Sequence, residues 1–157
     1  MANLVAPRGH QNVSILGIGA YRPARLVSND ELCTVMDSSD EWIYDRSGIR
    51  NRRWITGDED MRYIARMSAE RAIVNSGVDR EQVDLLVFAT STWPWNTPHG
   101  APIIAADLGL NGISAFDVAA GCGGFGYALG VGADAVRSGS ATNVVVIGAE
   151  TMSVGLD

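Results

Sequence analysis

The sequence predicts an α/β domain built around a sheet of short, buried strands. Four apolar runs rich in β-branched residues recur along the chain, at residues 13–18, 83–89, 113–118 and 143–147. Their continuous apolar character, without strict alternation, is typical of strands buried on both faces of a parallel or mixed sheet. Helical patterns separate these runs, and such alternation indicates an α/β fold. The length of 157 residues fits one ordinary domain.

The predicted helices begin at recognisable capping sequences. A hydroxyl residue is followed three positions later by a carboxylate at residues 28–31, 38–41 and 56–59, and this pattern satisfies the exposed amides of a helix start. The third helix should end at Gly77. A last helix, from about residue 123 to 137, is apolar around most of its circumference, so we expect it to be buried in the middle of something larger.

Composition excludes several classes of function. The net charge of −6 and the pI near 4.8 argue against a nucleic-acid partner or an anionic membrane surface. All 12 residues counted as Lys or Arg are arginine, which excludes Schiff-base lysine chemistry and a P-loop lysine. The two cysteines, Cys33 and Cys122, are too far apart in sequence for a disulfide framework or a zinc cluster.

We expect a soluble, cytoplasmic protein. Unpaired cysteines suit a reducing compartment, no apolar run reaches the roughly 18 residues of a membrane span, and the N-terminus lacks the features of a signal peptide. Residues 1–12 are polar and aperiodic, so we interpret them as a flexible tail. The domain itself is predicted to cover residues 13–157.

Cys122 is the candidate nucleophile. It stands at the predicted turn from an apolar strand into the last helix, where the helix N-terminus and unpaired amides favour the thiolate form. Glycines at positions 121, 123 and 124 leave room for a thioester carbonyl to approach the backbone. The N–H of Cys122 is a candidate oxyanion donor. The alternative interpretation is a small cysteine packed at a helix start.

Residues 115–129 resemble the active-site segment of β-ketoacyl-acyl-carrier-protein synthase III. Residues 17–23, 38–43 and 46–50 resemble other segments of that family, in the same order and at similar spacing. The resemblance extends from about Val13 to the C-terminus. It implies the N-terminal half of a thiolase-like α/β fold, with a mixed sheet and a buried central helix following the nucleophile.

The resemblance also implies a reaction. An enzyme of this family transfers an acyl group from acyl-CoA to its cysteine and condenses it with the carbanion formed by decarboxylation of malonyl carrier protein. The product is a β-ketoacyl carrier protein two carbons longer. The implied partners are acyl-CoA as substrate, acyl carrier protein and a second copy of the chain in a homodimer, with no tightly bound cofactor and no metal.

The enolate of this reaction needs hydrogen-bond donors. In the resembling family they are a histidine and an asparagine from the second half of a longer chain, and neither appears before Asp157. We therefore expect the domain to be catalytically incomplete and to need the remainder of the chain or a companion polypeptide. His10 lies in the tail, and His99 lies in a proline-rich loop outside any matching motif, so we expect a loop or surface role for both.

An aromatic and basic cluster occupies residues 42–54. Arginine binds phosphate bidentately, and a flat indole can stack on adenine. In the resembling family the residues that correspond to Trp42 and Arg46 line the coenzyme A entrance, so these two are the candidate cofactor-binding residues. A solvated basic face with a half-buried indole is the alternative interpretation.

Residues 92–102 form a predicted loop with three prolines and two large aromatics. In the family this region shapes the acyl pocket, with one residue near Thr97 reaching across the dimer interface. We therefore assign Thr97 and Trp95 to the acyl pocket. The small Thr97 side chain predicts room for a longer or branched acyl chain.

Other reactions on the same fold remain open: an acyltransferase, a hydroxymethylglutaryl-CoA synthase or a plant-type (type III) polyketide synthase. A non-catalytic assembly partner is a further alternative, although it predicts loss of the cysteine. Fatty-acid and polyketide initiation are not distinguished. Cys33 and Glu150 are expected to be structural. Residues 17–19 lack the third glycine of a dinucleotide fingerprint, so the sequence argues against a dinucleotide site there.

Overall fold

The computed structural model describes residues 12–155, so all but the last residue of the predicted tail lies outside the described residues. The strands are β1 (Arg25–Ser28), β2 (Asn51–Trp54), β3 (Leu85–Ala89), β4 (Ser114–Val118) and β5 (Val144–Gly148). The helices are α1 (Asn29–Leu32), α2 (Asp40–Ser47), α3 (Met61–Ser76), α4 (Gly100–Asp107) and α5 (Gly124–Ser138). Short 3₁₀ turns occupy Arg80–Gln82, Gly121–Gly123 and Met152–Gly155.

The main sheet has the strand order β4-β3-β5, and both pairings are parallel. Every residue of β3 is buried, because helices cover both faces of this central strand. The apolar runs predict a parallel or mixed sheet, and the family resemblance implies a mixed one. Within residues 12–155 the main sheet is parallel, and the antiparallel pairing lies in a separate two-stranded sheet of β1 and β2. Parallel strands bring the carboxyl ends of β3, β4 and β5 to one edge.

The first apolar run, residues 13–18, is predicted as a strand but has no ladder partner in the described chain. It lies against α3 instead, where Asn75 donates a side-chain hydrogen bond to the carbonyl of Ile18 at 2.9 Å. A Cβ on Gly17 would stand 2.4 Å from the Ala72 carbonyl oxygen, and one on Gly19 would stand 2.2 Å from that of Ser68. The two glycines therefore permit this close packing against α3.

Two of the three predicted capping sequences begin helices. Ser28 accepts a hydrogen bond from the amide of Glu31 at the start of α1, and Ser39, one residue later than predicted, accepts one from the amide of Trp42 at the start of α2. The prediction at Thr56 is wrong, because Asp60 caps α3. Glu59 does accept the Thr56 amide at 3.3 Å, as the capping pattern expects, but no helix begins there, and its other carboxylate oxygen accepts the Tyr21 hydroxyl at 2.5 Å.

Helix α5 packs on the sheet through a stripe of small residues. Gly124, Ala128 and Gly132 are buried, and a Cβ on Gly132 would stand 3.1 Å from Val146. Four of its large apolar side chains are exposed: Phe125, Tyr127, Leu129 and Val131. Within residues 12–155 one face of this helix is covered by the sheet and the other is not, so its burial in something larger stays a prediction.

A mostly apolar groove of about 1570 Å³ borders the same region. It is lined by residues 12–21, α3, α5 and β5, whose outer edge has no paired strand in the described part of the chain. Cys122 does not line it. Within residues 12–155, every helix falls short of the length and apolarity that a membrane crossing requires.

The close approach of Gly17 to α3 predicts that Gly17→Ala destabilises the protein by about 1–3 kcal/mol, because the new methyl group overpacks a backbone contact. Gly130→Ala in α5 is the matched control, since a Cβ there meets no atom within 4 Å. Urea unfolding measures both. Equal stability of the two variants would contradict the packing argument.

Asp84 ties the start of β5 to β3. Its carboxylate accepts the amides of Thr142 at 2.6 Å and Asn143 at 3.1 Å, and these bonds hold its pKa below the usual carboxyl value. A carboxyl with a lowered folded-state pKa stabilises the protein at neutral pH and loses this contribution as the pH falls. Asp84→Asn should therefore lower stability most at pH 7, and its difference from the unchanged protein should shrink in acid. Urea unfolding across pH measures this, and a constant difference would contradict it.

Candidate active site

Cys122 lies where β4 gives way to α5, at the carboxyl edge of the sheet. Strand β4 ends at Val118, and Cys122 is the middle residue of the 3₁₀ turn that leads into α5. Its thiol is free and solvent-exposed. The first amides of a helix have no intrahelical acceptor, so N–H groups gather at this turn. The predicted strand-to-helix position of Cys122 is therefore the one in the structure.

The residue before the cysteine sets the turn. Gly121 has φ of +53°, a left-handed conformation that glycine adopts without strain. Its amide donates a hydrogen bond to the hydroxyl of Ser91, 3.2 Å away, at the end of β3. Gly124 packs against β3, where a Cβ would stand 3.6 Å from that of Ala89. Gly121 is therefore favoured by its backbone conformation, and Gly124 by its packing against β3. Clearance for a substrate is a further reason that the sequence predicts.

Asp117 in β4 is a site residue that the sequence reasoning missed. Its side chain is 12% exposed and accepts the amides of Gly100 at 2.8 Å and Ala101 at 2.7 Å. These bonds hold the first turn of α4 against β4, just ahead of the nucleophile turn. A lone acid inside an apolar strand was the available signal. His99 Nδ1 stands 3.8 Å from the same carboxylate with its side chain 68% exposed, in keeping with the predicted loop role.

Trp42 and Arg46 lie together on α2. The Arg46 guanidinium is 4.6 Å from the centroid of the Trp42 ring, which is about half exposed. Arg50 stacks similarly over Tyr44, at 4.1 Å. In such cation–π pairs the positive charge lies over one face of the aromatic ring. The exposed part of the predicted cluster therefore has the chemistry that a nucleotide phosphate and base require.

The other two arginines of that cluster, Arg52 and Arg53, make hydrogen bonds to neighbouring segments, Arg52 from a half-buried position and Arg53 from an exposed one. Arg52 donates to the side-chain oxygen of buried Asn29 at 2.5 Å, and Arg53 donates to the carbonyl of Pro23 at 2.8 Å. Both bonds join β2 to the residues that flank β1. The cluster predicted at residues 42–54 thus contains two arginines with structural hydrogen bonds and two exposed cation–π pairs on α2 and just after it.

Trp95 and Thr97 lie in the loop between β3 and α4. The Trp93 ring packs edge-on against Phe88 at 6.0 Å and against Trp95 at 5.1 Å, and its indole N–H donates to the Pro98 carbonyl at 3.1 Å. Trp95 is 52% exposed and Thr97 is exposed. The described residues bring Trp95 onto an ordered aromatic stack, but they do not enclose an acyl pocket around Thr97.

In the part of the chain that the structure describes, no cluster of three or more histidine, cysteine or acidic side chains could hold a metal ion. The chemistry of the site depends on one thiol, backbone amides and the polar side chains at the carboxyl edge of the sheet.

Comparisons with known proteins identify the fold and the family. A family model for 3-oxoacyl-acyl-carrier-protein synthase III matches residues 116–157, which include the cysteine turn. The chain is 48% identical over 157 residues to mycobacterial β-ketoacyl-acyl-carrier-protein synthase III from Mycolicibacterium paratuberculosis. It is 45% identical over the same length to the β-ketoacyl-acyl-carrier-protein synthase III of Mycobacteroides abscessus. These alignments cover the whole chain but 47% and 46% of the relatives.

Solved structures agree. The priming β-ketosynthase of a polyketide biosynthetic pathway matches with a TM-score of 0.88 and 41% identity, over 97% of this chain and 45% of that one. The 3-oxoacyl-acyl-carrier-protein synthase III of Aquifex aeolicus matches with a TM-score of 0.86 and 39% identity, over 89% and 45%. The fold is thiolase-like, as predicted. The chain belongs to the β-ketoacyl-acyl-carrier-protein synthase III family and spans about half the length of the curated relatives it matches.

Proposed function

We propose that the complete protein catalyses the decarboxylating condensation of an acyl-CoA starter with malonyl carrier protein through an acyl-Cys122 intermediate. The observation that carries the proposal is the free, exposed thiol of Cys122 at a glycine-rich strand-to-helix turn. The family membership supports the reaction class, since the relatives that match the whole chain are named β-ketoacyl-acyl-carrier-protein synthase III.

In the first half-reaction, the Cys122 thiolate attacks the thioester carbonyl of acyl-CoA. The carbonyl oxygen takes up negative charge, which the amides of the turn stabilise, and the C–S bond to coenzyme A then breaks. Coenzyme A leaves as a thiolate and takes up a proton. The acyl group is then held on Cys122 as a thioester.

In the second half-reaction, the malonyl group on the carrier protein loses CO₂, and the electron pair of the broken C–C bond becomes an enolate. The enolate carbon attacks the acyl-Cys122 carbonyl, a C–C bond forms, and the Cys122 thiolate leaves. We assign the enolate's donors to a histidine and an asparagine outside residues 12–155, in the remainder of the chain or a companion polypeptide. His99, exposed on its loop, is not assigned this role.

The proposed binding residues follow the exposed chemistry of the surface. Trp42 and Arg46 receive coenzyme A, the indole against the adenine and the guanidinium against a phosphate. Trp95 and Thr97 contribute to an acyl pocket that a second copy of the chain completes in a homodimer. A cytoplasmic location and the absence of a tightly bound cofactor are part of the same proposal.

A role in polyketide initiation is the second candidate. One structural neighbour at 41% identity is a priming β-ketosynthase from a polyketide pathway, whereas the curated relatives carry the β-ketoacyl-acyl-carrier-protein synthase III name without a pathway. The acyl group accepted by the enzyme distinguishes these uses of one reaction.

Incubation of the complete protein with radiolabelled acyl-CoA should place the label on Cys122, because this thiol is exposed at the turn. Tryptic mass spectrometry locates the acyl group. Cys122→Ala should remove the label, and Cys33→Ala, the matched control, should retain it. A folded, complete protein that acquires no label, or acquires it on Cys33, would support the non-catalytic alternative.

Trp42→Ala should raise the KM for acyl-CoA about tenfold, the equivalent of about 1.4 kcal/mol, because the adenine loses its stacking surface. The matched substrate is an acyl thioester of N-acetylcysteamine, which has no nucleotide. Its KM should not change. Steady-state kinetics measure both, and an equal effect on the two thioesters would contradict a coenzyme A contact at Trp42.

The small Thr97 side chain predicts acceptance of acyl chains longer than acetyl or branched. Thr97→Phe should shift the preference toward acetyl-CoA by about tenfold or more, since a bulky ring takes up pocket volume. Initial rates across a series of acyl-CoA chain lengths measure the shift. A strict preference of the unchanged enzyme for acetyl-CoA would contradict this assignment.

A further inference from the structure

Glu150 lies two residues beyond β5, at the edge of the sheet where β3 and β4 also end. One carboxylate oxygen accepts the amide of Ser91 at 2.9 Å, and the other accepts the hydroxyl of Thr92 at 2.5 Å. A single side chain therefore takes two donors from the segment that follows β3. A carboxylate can do this with both oxygens at once, and a carboxamide has only one oxygen to offer.

Further bonds hold this segment in one conformation. The Thr92 hydroxyl also accepts the amide of Thr151 at 3.0 Å, and the Thr92 amide donates to the Thr90 hydroxyl at 3.2 Å. The amide of Thr90 donates to the Val118 carbonyl at 3.2 Å. Residues 90–92 are thus fixed to the ends of both neighbouring strands.

Ser91 links residues 90–92 to the turn that contains Cys122. Its amide is held by Glu150, while its hydroxyl accepts the amide of Gly121 at 3.2 Å. Gly121 precedes Cys122 and has a φ of +53°. Glycine at such a position also samples other backbone conformations, so an external bond to its amide restricts the direction in which the next residue points.

We propose that Glu150 is a positioning residue for Cys122, acting through Ser91 and the Gly121 amide. Glu150 does not touch the reacting atoms in this assignment. It orients the residue that presents the thiol and the Cys122 amide to an acyl carbonyl. The proposal rests on the proposed role of Cys122 as the acyl carrier and replaces the purely structural interpretation of Glu150.

The test compares Glu150→Gln and Ser91→Ala in the complete protein, with two readouts. The first is the rate of Cys122 alkylation by iodoacetamide without substrate, and the second is kcat and KM for acyl-CoA. Both variants should lower the alkylation rate and kcat about tenfold with little change in KM. The double variant should be no slower than either single variant, because both break one chain of contacts. Ser91→Thr, which keeps the hydroxyl, should restore the rate.

Asp84→Asn is the matched control. Asp84 also accepts two hydrogen bonds that join two segments, here from the amides of Thr142 and Asn143, but at the opposite ends of β3 and β5. It should lose stability with no change in Cys122 alkylation. Should Glu150→Gln fail to fold, Ser91→Ala and its threonine rescue carry the test, since Ser91→Ala removes only the link to Gly121.

Three results would overturn the proposal: unchanged alkylation in Glu150→Gln, an equal loss in Asp84→Asn, or additive losses in the double variant. Failure of the proposed function appears separately. The unchanged protein would then form no acyl-Cys122, while its alkylation rate would still respond to Glu150. Normal acylation in Glu150→Gln with unchanged alkylation would reject the positioning role alone.

Discussion

The backbone conformation of Gly121 is the constraint on which the candidate site depends. Strand β4 ends at Val118 and helix α5 begins at Gly124, so the backbone must change from a strand to a helix within five residues. A left-handed φ of +53° makes this turn possible and leaves Cys122 at its exposed apex. A side chain at residue 121 would strain the backbone at the point where the thiol is presented.

The parallel sheet gives this turn its surroundings. Because β3, β4 and β5 run in one direction, their carboxyl ends meet at one edge, where open α/β sheets bind ligands. Ser91, Cys122 and Glu150 come from three different segments and meet there. The small residues of α5 fix the depth at which the helix packs on the sheet, and Phe125, Tyr127, Leu129 and Val131 stay exposed among the described residues.

Prediction from sequence succeeded where the signal was local. The three main strands were predicted to within two residues at each end, because strands buried on both faces leave continuous apolar runs. The antiparallel pairing of β1 with β2 is not predicted, since these strands are polar and far apart in the chain. The predicted loop of residues 92–102 includes the first three residues of α4, because Pro102 falls in the first turn of the helix, where proline is tolerated.

The site was predictable in part for the same reason. Glycines and a cysteine between an apolar strand and a helix are visible in sequence, so the Cys122 turn could be found. Other contacts depend on which segments meet in space. They are the bond of Arg52 to Asn29, the bonds of Asp117 to α4 and the bonds of Glu150 to residues 91 and 92. No local sequence pattern encodes those contacts, so the sequence alone predicts only a structural role for Glu150.

The most direct measurement of the central claim is the alkylation rate of each cysteine in the native and the urea-unfolded complete protein, followed by peptide mass spectrometry. If the turn presents an activated thiol, native Cys122 reacts at least tenfold faster than native Cys33, and unfolding removes the difference. Equal rates for the two native cysteines, or a Cys122 that reacts faster only after unfolding, would contradict the account.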